Sequence, residues 1–486
     1  IKITATSSAR IDIGVVDDTF EPYNGTVRYA PGLDSKSYAY VSLGTKYNNN
    51  TDTSYGATYG TNDVIGIALD LDNGTITFYK NNVSQGQAFS GLTGGFSPAY
   101  GDGSSAGTHS ISANFGQQGF TYTPPTDFKA LNLANLPHNV PSIIRPQKHF
   151  DTILYTGNGS SQTIGGLEFA PDWVWIKIRS QSYDHAVFDT IRGATKDLET
   201  NQTSVEQTRQ MLTAFTSNGF SVGNDTQANK SGDTFVAWCW KAGGTAVTNN
   251  DGSIASQVSV NEEAGFSIIS YTGNNTNNAT VGHGLGKTPA LLITKSRDNV
   301  INPAWHTSHV SLPTNYDIAL DASDAAWNPG TNGWHELTNS SVFTLKKGSS
   351  DGNNTNRNGD RYIAYCWAEI PGYSKFGSYT GNGNADGAYV HLGFRPSWVL
   401  FKRSDSSGNW FIVDNKRDPF NECTRDLYPN TSGTETNNSN FVDFLSDGFK
   451  LRTTGTAVNG SGGTYIYMAI AEQPGLTPYD TQTNAR

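Results

Sequence analysis

Phe150-Asp-Thr-Ile-Leu-Tyr155-Thr-Gly-Asn-Gly159 decides the fold, because the same run returns twice further along the chain. It recurs as Phe266-Ser-Ile-Ile-Ser-Tyr271-Thr-Gly-Asn-Asn275, and again, with the aromatics closer together, as Phe376-Gly-Ser-Tyr379-Thr-Gly-Asn-Gly383. A second block follows each copy: Phe169-Ala-Pro171-Asp-Trp173-Val-Trp-Ile-Lys177, then Leu285-Gly-Lys-Thr-Pro289-Ala-Leu291-Leu-Ile-Thr-Lys295, then Phe394-Arg-Pro396-Ser-Trp398-Val-Leu-Phe-Lys402. A third block closes each unit: Phe235-Val-Ala-Trp-Cys-Trp240, Tyr362-Ile-Ala-Tyr-Cys-Trp367 and Tyr465-Ile-Tyr-Met-Ala-Ile470. Three blocks in one order, three times over, mark three related units. Each block reads as a strand. The first ends in turn residues that accept positive φ. The second is short, β-branched and aromatic, and enters after a proline. The third is apolar on both parities, as a strand buried on both faces must be. Helical periodicity is nearly absent, Ser204–Thr213 being the one stretch that hints at it.

Composition agrees. The chain has 486 residues with 52 Gly, 23 Tyr, 23 Phe and 10 Trp, and only 16% charged residues. Length alone allows several domains. Few charges combined with many aromatics exclude a disordered acidic chain. Gly, Asn, Ser and Thr take the place of charge, which suits an extracellular or virion all-β protein and suits a metabolic enzyme poorly. The 33 basic and 43 acidic residues leave a net charge of -10. Binding to nucleic acid by counterion release is therefore not expected, nor is docking on an anionic membrane. No apolar run approaches the roughly 20 residues of a membrane span, so membrane insertion is not expected. The start, Ile1-Lys2-Ile3-Thr4, resembles no targeting segment, and a fragment or processed product is the expectation.

Working back from the repeats, residues 1–136 form a different unit. Val64–Asp70 and Gly74–Lys80 flank an Asn73-Gly74 turn, a hairpin signature. The run Asp63-Val-Ile-Gly-Ile-Ala-Leu-Asp70, the run Ile76-Thr-Phe-Tyr-Lys-Asn-Asn82, Phe96-Ser-Pro98-Ala-Tyr100, and Ala113-Asn114-Phe115-Gly116-Gln117 with Phe120 together resemble a SPRY domain. The resemblance covers about residues 30–125 and implies a concanavalin-like two-sheet sandwich. The expected fold class is therefore all-β and multidomain: this sandwich plus three related β-sandwich repeats. The expected divisions are 1–136, a proline-containing linker at 137–147, a first repeat at 148–244, a linker at 245–262, a second repeat at 263–371, a third at 372–474, and a tail at 475–486.

Catalytic motifs fail on inspection. Gly286-Lys287-Thr288 lacks the upstream glycine of a phosphate loop and leads into a strand where a helix is required. Gly282-His-Gly-Leu-Gly286 has no βαβ context for a dinucleotide. Neither a Gly-x-Ser-x-Gly elbow nor a His-Glu-x-x-His motif occurs. Three cysteines cannot form a closed disulfide set, and Cys239 and Cys366, inside apolar strands, read as small hydrophobes. Asp70 and Asp72 flank a hairpin and are expected to hold its turn. Asp189-x-x-Arg192 and Asp414-x-x-Arg417 occupy matched places in repeats one and three, which points to a salt bridge or turn clamp. His306-Thr-Ser-His309 has no partner cluster with metal spacing, and no metal or cofactor is expected.

The segment 300–337 departs from its sister repeats and carries Trp305, Tyr316, Trp327 and Trp334. Trp rings among Asn, Gly and Thr suit sugar recognition, because ring faces stack on pyranoses while amides bond hydroxyls. These four are the expected ligand-binding residues. The alternative is that the rings pack the loop onto its own sandwich or a neighbouring subunit.

Repeats with Tyr-Thr-Gly-Asn-Gly, Pro-x-Trp-Val and Tyr-Ile-Ala-Tyr-Cys-Trp, following a SPRY-like unit, resemble modules of structural proteins from tailed phages of marine and cyanobacterial hosts. That resemblance implies a virion-surface protein, a tail fibre or related adhesin on the tail or capsid exterior. It would attach to a host-surface receptor, a glycan or a protein, without catalysis. Its other partners would be virion subunits and further copies of itself, with weak sites multiplied by copy number. Two other classes stay open. A capsid-decorating protein would have no receptor role, and a tailspike depolymerase would set two carboxylates across a groove about 5–10 Å apart.

Overall fold

The closing blocks become the strands Thr234–Trp240, Arg361–Trp367 and Thr464–Ala471, each hydrogen-bonded on both sides within its sheet. The chain is seen in a computed structural model that describes all residues except 8–9, 18–19, 21–29, 103–107, 117, 127, 132–142, 299–303, 329–334, 347–354, 473–474, 477–481 and 484–486, with 438–441, 475–476 and 482–483 described as backbone only. It divides into Ile1–Asn139 and Val140–Arg486. Both are β throughout, the described residues holding only a four-residue α-helix, Thr226–Asn229, and a short 3-10 turn, Pro146–Lys148.

The first unit has a five-stranded sheet running, in spatial order, Thr51–Ser54, Thr45–Asn48, Ser37–Val41, Ile11–Asp17 and Phe96–Asp102. A three-stranded sheet, Ile65–Asp70, Thr75–Lys80 and Val83–Ser90, packs with it, and Lys2–Thr6 pairs with His109–Ser112. Ile13, Val15, Tyr40, Ile65, Ile76 and Phe78 share one buried core. The predicted hairpin is present. Asp70 Oδ1 accepts the Asn73 N–H at 3.0 Å, holding the turn as expected. Gly74 sits at φ +62, where a Cβ would meet the Leu92 carbonyl at 2.7 Å.

In the second unit each repeat is a sandwich of two sheets, of six and three strands in the first repeat, seven and three in the second, and four and four in the third. The first-block strand and the second-block strand flank the closing strand, so the repeated blocks are three adjacent strands of one sheet. In repeat one the order begins Phe150–Thr156, Thr234–Trp240, Trp173–Ile178, Ala186–Asp189. Tyr155, Tyr271 and Tyr379 lie opposite Phe235, Tyr362 and Tyr465 and stack on them at 4.9, 5.0 and 5.0 Å between centroids.

The repeated Thr-Gly-Asn is explained by what meets it. The buried amides of Asn229, Asn356 and Asn459 accept the N–H of Asn158, Asn274 and Asn382 at 2.9, 2.8 and 3.0 Å. Gly157, Gly273 and Gly381 have no room for a side chain, because a Cβ would come within 2.2–2.3 Å of a carbonyl on the clamping segment. The glycine is thus required by close approach.

Strand alternation sends two residue sets to opposite faces. Val174, Ile176, Phe235, Ala237 and Cys239 fill the interior of repeat one. Trp173, Trp175, Val236, Trp238 and Trp240 face the other way into a core shared with Phe266, Ile293, Trp305, Tyr365 and Trp367 of repeat two and Trp398, Leu400, Trp410, Ile412 and Met468 of repeat three. The three sheets that carry the closing strands therefore pack on one another around a common centre, rather than as separate beads on a string.

The packing closes as a ring. Strand register makes His185, Trp305 and Trp410 equivalent, and likewise Asp189, His309 and Asp414. Trp305 Nε1 donates to the Glu199 carbonyl and Trp410 Nε1 to the Ala319 carbonyl, both at 2.8 Å, while His185 points at the backbone of Tyr428. Backbone N–H groups of Glu206, Glu435 and Ala326 bond the carbonyls of Arg297, Arg179 and Ser404 at 3.0, 2.8 and 2.9 Å. Both sets join repeat two to one, one to three, and three to two. That is the head-to-tail closure of a threefold ring, made here within one chain.

Some expected divisions change. Residues 245–262, expected as a linker, supply the strands Val247–Asn249 and Ser256–Asn261, which extend the large sheet of repeat two. Their alternating Val258 and Val260 carry a strand pattern that polar neighbours obscured. In the tail, Gly475–Leu476 pairs with Gln482–Thr483. Ser204–Thr213 is not helical; Gln207–Thr208 and the start of Leu212–Thr216 lie in it as strands. The linker expected at 137–147 falls partly outside the described residues.

Candidate functional site

Segment 300–337 leaves the large sheet of repeat two after Leu291–Ser296 and returns through His306–His309 and Ile318–Ala319. It is the counterpart of 184–208 in repeat one and 409–437 in repeat three, and like them it reaches a neighbouring repeat. This corrects the reading of Trp305. Its ring is 1% exposed, lies parallel to Tyr365 in the shared core, and bonds Glu199 of repeat one. No ring face is left for a sugar. A Trp in an Asn/Thr-rich loop looked like a ligand platform because its cover comes from a segment about a hundred residues away.

Tyr316 and Trp327 are half-buried. They stand on either side of a backbone bridge, Trp327 N–H to Asp317 carbonyl and the reverse, both at 3.0 Å. Next to them, the Ala326 N–H is fixed to Ser404 of repeat three. The structure thus brings Tyr316 and Trp327 together on one arm. Trp334 lies outside the described residues.

Behind this arm the interior of repeat two is polar where its sisters are apolar. Strand register equates Thr294 with Ile176 and Phe401, His306 with Ala186 and Phe411, and Ser308 with Phe188 and Val413. His306 Nδ1 lies 2.8 Å from Asp317 Oδ2, while His335 bonds Thr294 Oγ1 at 2.6 Å and Ser308 Oγ at 3.1 Å. The two imidazole centroids are 6.3 Å apart. Burial, then the nearby His306, pushes His335 well below the usual imidazole range, and burial pushes Asp317 up against the pull of His306. Both histidines are buried, 3–5% exposed. An imidazole pair held by one carboxylate and two hydroxyls can hold and exchange protons, but its burial gives no path to a substrate.

The other suggestive groups are committed to structure. Asp189 and Asp414 each bind the Arg three residues on, at 2.5 and 2.6 Å, with all four side chains fully buried. This is the salt bridge expected of Asp-x-x-Arg, and it places neither carboxylate in a groove. Cys239, Cys366 and Cys423 are buried free thiols, their ionisation pushed up by desolvation. Among the described residues no three His, Cys, Asp or Glu side chains gather as metal ligands. Nor is any helix among them long and apolar enough to cross a membrane.

Comparison with known families divides the chain as its folds do. Residues 1–118 match the SPRY domain, a span that begins earlier than the expected 30–125 and takes in the strands Lys2–Thr6 and Ile11–Asp17. That defines an all-β, SPRY-bearing protein. Residues 145–474 match a domain of unknown function, DUF7483, and the chain belongs to that family. Among curated proteins, the chain is similar to Ran-binding protein 10 of Danio rerio, 37% identical over 94 residues, which is 19% of this chain and 15% of that protein. It is also similar to the ATP-dependent RNA helicase DDX1 of Xenopus laevis, 30% identical over 111 residues, 23% of this chain and 15% of that protein. The chain thus spans about 15% of the length of these relatives.

Proposed function

We propose that this chain is a non-catalytic recognition protein of a virion surface, a tail fibre or related adhesin that binds a host-surface receptor, with a glycan as the leading candidate. One observation carries the non-catalytic part: the conspicuous Trp, Asp and Arg side chains of the described repeats are consumed in joining three sandwiches into one ring. A chemically quiet, stiff body suits presentation of ligands by surface loops. The half-buried Tyr316 and Trp327, fixed to a neighbouring repeat, support a glycan site there. The virion setting rests on the resemblance of the repeat motifs and of the SPRY-plus-repeats order, and with it go virion subunits and further copies as partners.

A structural reading, with no receptor role, is favoured by Trp305, whose face against repeat one shows the arm acting as a docking element. The test is incubation of the purified chain with a host-surface glycan array and whole host cells, with released oligosaccharide assayed alongside. Binding without release, lost in Trp327→Ala, supports the adhesin. Absence of both favours the structural component, and released sugar overturns the non-catalytic reading.

A further inference from the structure

Three joints close the ring, and they are not built alike. Between repeats two and one, Arg297 holds Glu206 through two bonds of 2.8 and 3.0 Å, and Tyr365 bonds Asp189. Between one and three, Arg179 holds Glu435 through two bonds of 2.8 Å, and Trp238 bonds Asp414 at 3.0 Å. At the joint between three and two, the equivalent of the paired arginine is Ser404, opposite Ala326. The equivalent of the aspartate is His309, whose Nε2 donates to the Tyr467 carbonyl of repeat three at 3.0 Å. Here Lys402 contributes an ammonium bonded to the Asp324 carbonyl at 2.8 Å, and Gly408 N–H bonds Ser323.

His309 is held neutral by its bonds. Its Nδ1 accepts the Ser311 N–H at 3.0 Å, so the single ring proton sits on Nε2. A second proton has to displace Ser311 and leaves a cation packed against Phe376. The charged groups around the arm are Asp317 beside His306, Asp321 and Lys295 at its base, Asp324 on the arm facing Lys402 of repeat three, the Arg403–Asp405 pair next to that lysine, and Glu369 near Tyr467. Among the described residues His309 bonds the Tyr467 carbonyl and the Ser311 N–H and none of these carboxylates, whereas His306 faces Asp317. His335 bonds the hydroxyl of Ser308, the residue before His309, and that of Thr294. Acid therefore loads a cation onto arm 304–328 at this joint. The joint between one and three also buries an imidazole, His185 at the Tyr428 backbone, whereas the joint between two and one is held by Arg297–Glu206 and Tyr365–Asp189 and serves as the comparison.

We propose that the joint between repeats two and three is an acid-opened latch, in which protonation of His309, backed by His335, releases arm 304–328 and with it Tyr316 and Trp327. The device goes beyond receptor binding and does not depend on it.

The direction follows from linkage. Burial holds His309 down at about 4 against an ordinary 6.5. A depressed histidine keeps its full stabilisation above 6.5 and loses it as pH falls from there towards 4. Between pH 7.5 and 5.0 this one group shifts the closed–open equilibrium roughly 30-fold towards open.

The test is hydrogen exchange of the full chain at pH 7.5 and 5.0, corrected for the intrinsic effect of pH. Peptides covering 304–328 and 403–412 are expected to lose protection by about an order of magnitude or more, while 196–208, on the arginine-held joint, keeps it. His309→Gln retains an N–H for the Tyr467 carbonyl and should weaken the acid response of 304–328 while leaving protection at pH 7.5 intact. Equal loss at all joints, no loss by pH 5.0, or an unchanged response in His309→Gln overturns the proposal. Because the wild-type comparison of joints stands without any variant, a misfolded His309→Gln does not spare it.

Discussion

Tyr365 of the second repeat donates its hydroxyl to Asp189 of the first at 2.8 Å, across 176 residues of chain. Asp189 is already paired with Arg192, so one buried carboxylate serves both a turn within its own repeat and the seam to the next. Trp238 repeats the arrangement on Asp414 at the following seam. Tyr365→Phe removes one neutral donor from a carboxylate that keeps its arginine. The expected loss is about 1–1.5 kcal/mol. Asp189→Ala strands Arg192 in the core and should cost about 3–5 kcal/mol. Urea unfolding of both variants checks the contrast; similar small losses would mean that the seam is not buried as described.

Trp305 and Trp327 lie on one arm but differ in burial, and the proposed binding role falls to Trp327 alone. Trp305→Ala empties a site in the shared core and should cost about 3–5 kcal/mol. Trp327→Ala, at a half-buried site, should stay within about 1 kcal/mol of wild type while abolishing receptor binding. Thermal unfolding and a binding assay on both variants separate the two roles.

Much of this architecture is readable from the sequence. The three blocks name the central strands, and Asp-x-x-Arg names the buried salt bridge. A further shared block also identifies the clamp on the glycine turns: Asn229-Lys-Ser-Gly-Asp233, Asn356-Arg-Asn-Gly-Asp360 and Asn459-Gly-Ser-Gly-Gly463 share one spacing. What sequence reading lost was Trp305, because burial by another repeat leaves no local pattern. One signal was there. His185…Asp189, Trp305…His309 and Trp410…Asp414 have the same separation, which places Trp305 on a strand of the repeat rather than in a variable loop. The polar interior of repeat two escaped for a similar reason. Alternation of His306 and Ser308 in a Thr/Ser/His run reads as a polar loop when the apolar sister strands are not aligned to it.

Two outer strands carry their own guards. The Thr152 N–H on Phe150–Thr156 is taken by Asp151 Oδ1 at 2.8 Å, and the Phe376 N–H on Ser374–Thr380 by Glu369 Oε2 at 3.3 Å. At the equivalent place in repeat two, Ile268 lies against Ser259 of the added strand. A free N–H on a sheet edge invites pairing with another chain. The double variant Asp151→Ala, Glu369→Ala should therefore associate at concentrations where the wild type does not, as read by light scattering at pH 7.5. Unchanged scattering would count against the guarding role.

Three equivalent lysines are buried at the ends of the second-block strands. Burial holds Lys177, Lys295 and Lys402 each down at about 8, against an ordinary 10.5. A lysine lowered in the folded state opposes folding while it is charged. Its penalty lifts as pH rises through 8 and is gone near 10.5. Stability is therefore expected to increase from pH 7 to 9.5, by about 2 kcal/mol per lysine at most. Urea midpoints at the two pH values check this, and a fall over that range would contradict it.

The ring itself is most directly tested by scanning calorimetry of the full chain at pH 7.5. Two transitions are predicted, one for residues 1–139 and one for the joined repeats, and Asp189→Ala should lower the second as a whole. Separate melting of the repeats, with Asp189→Ala moving only the part that contains it, would contradict a single closed scaffold.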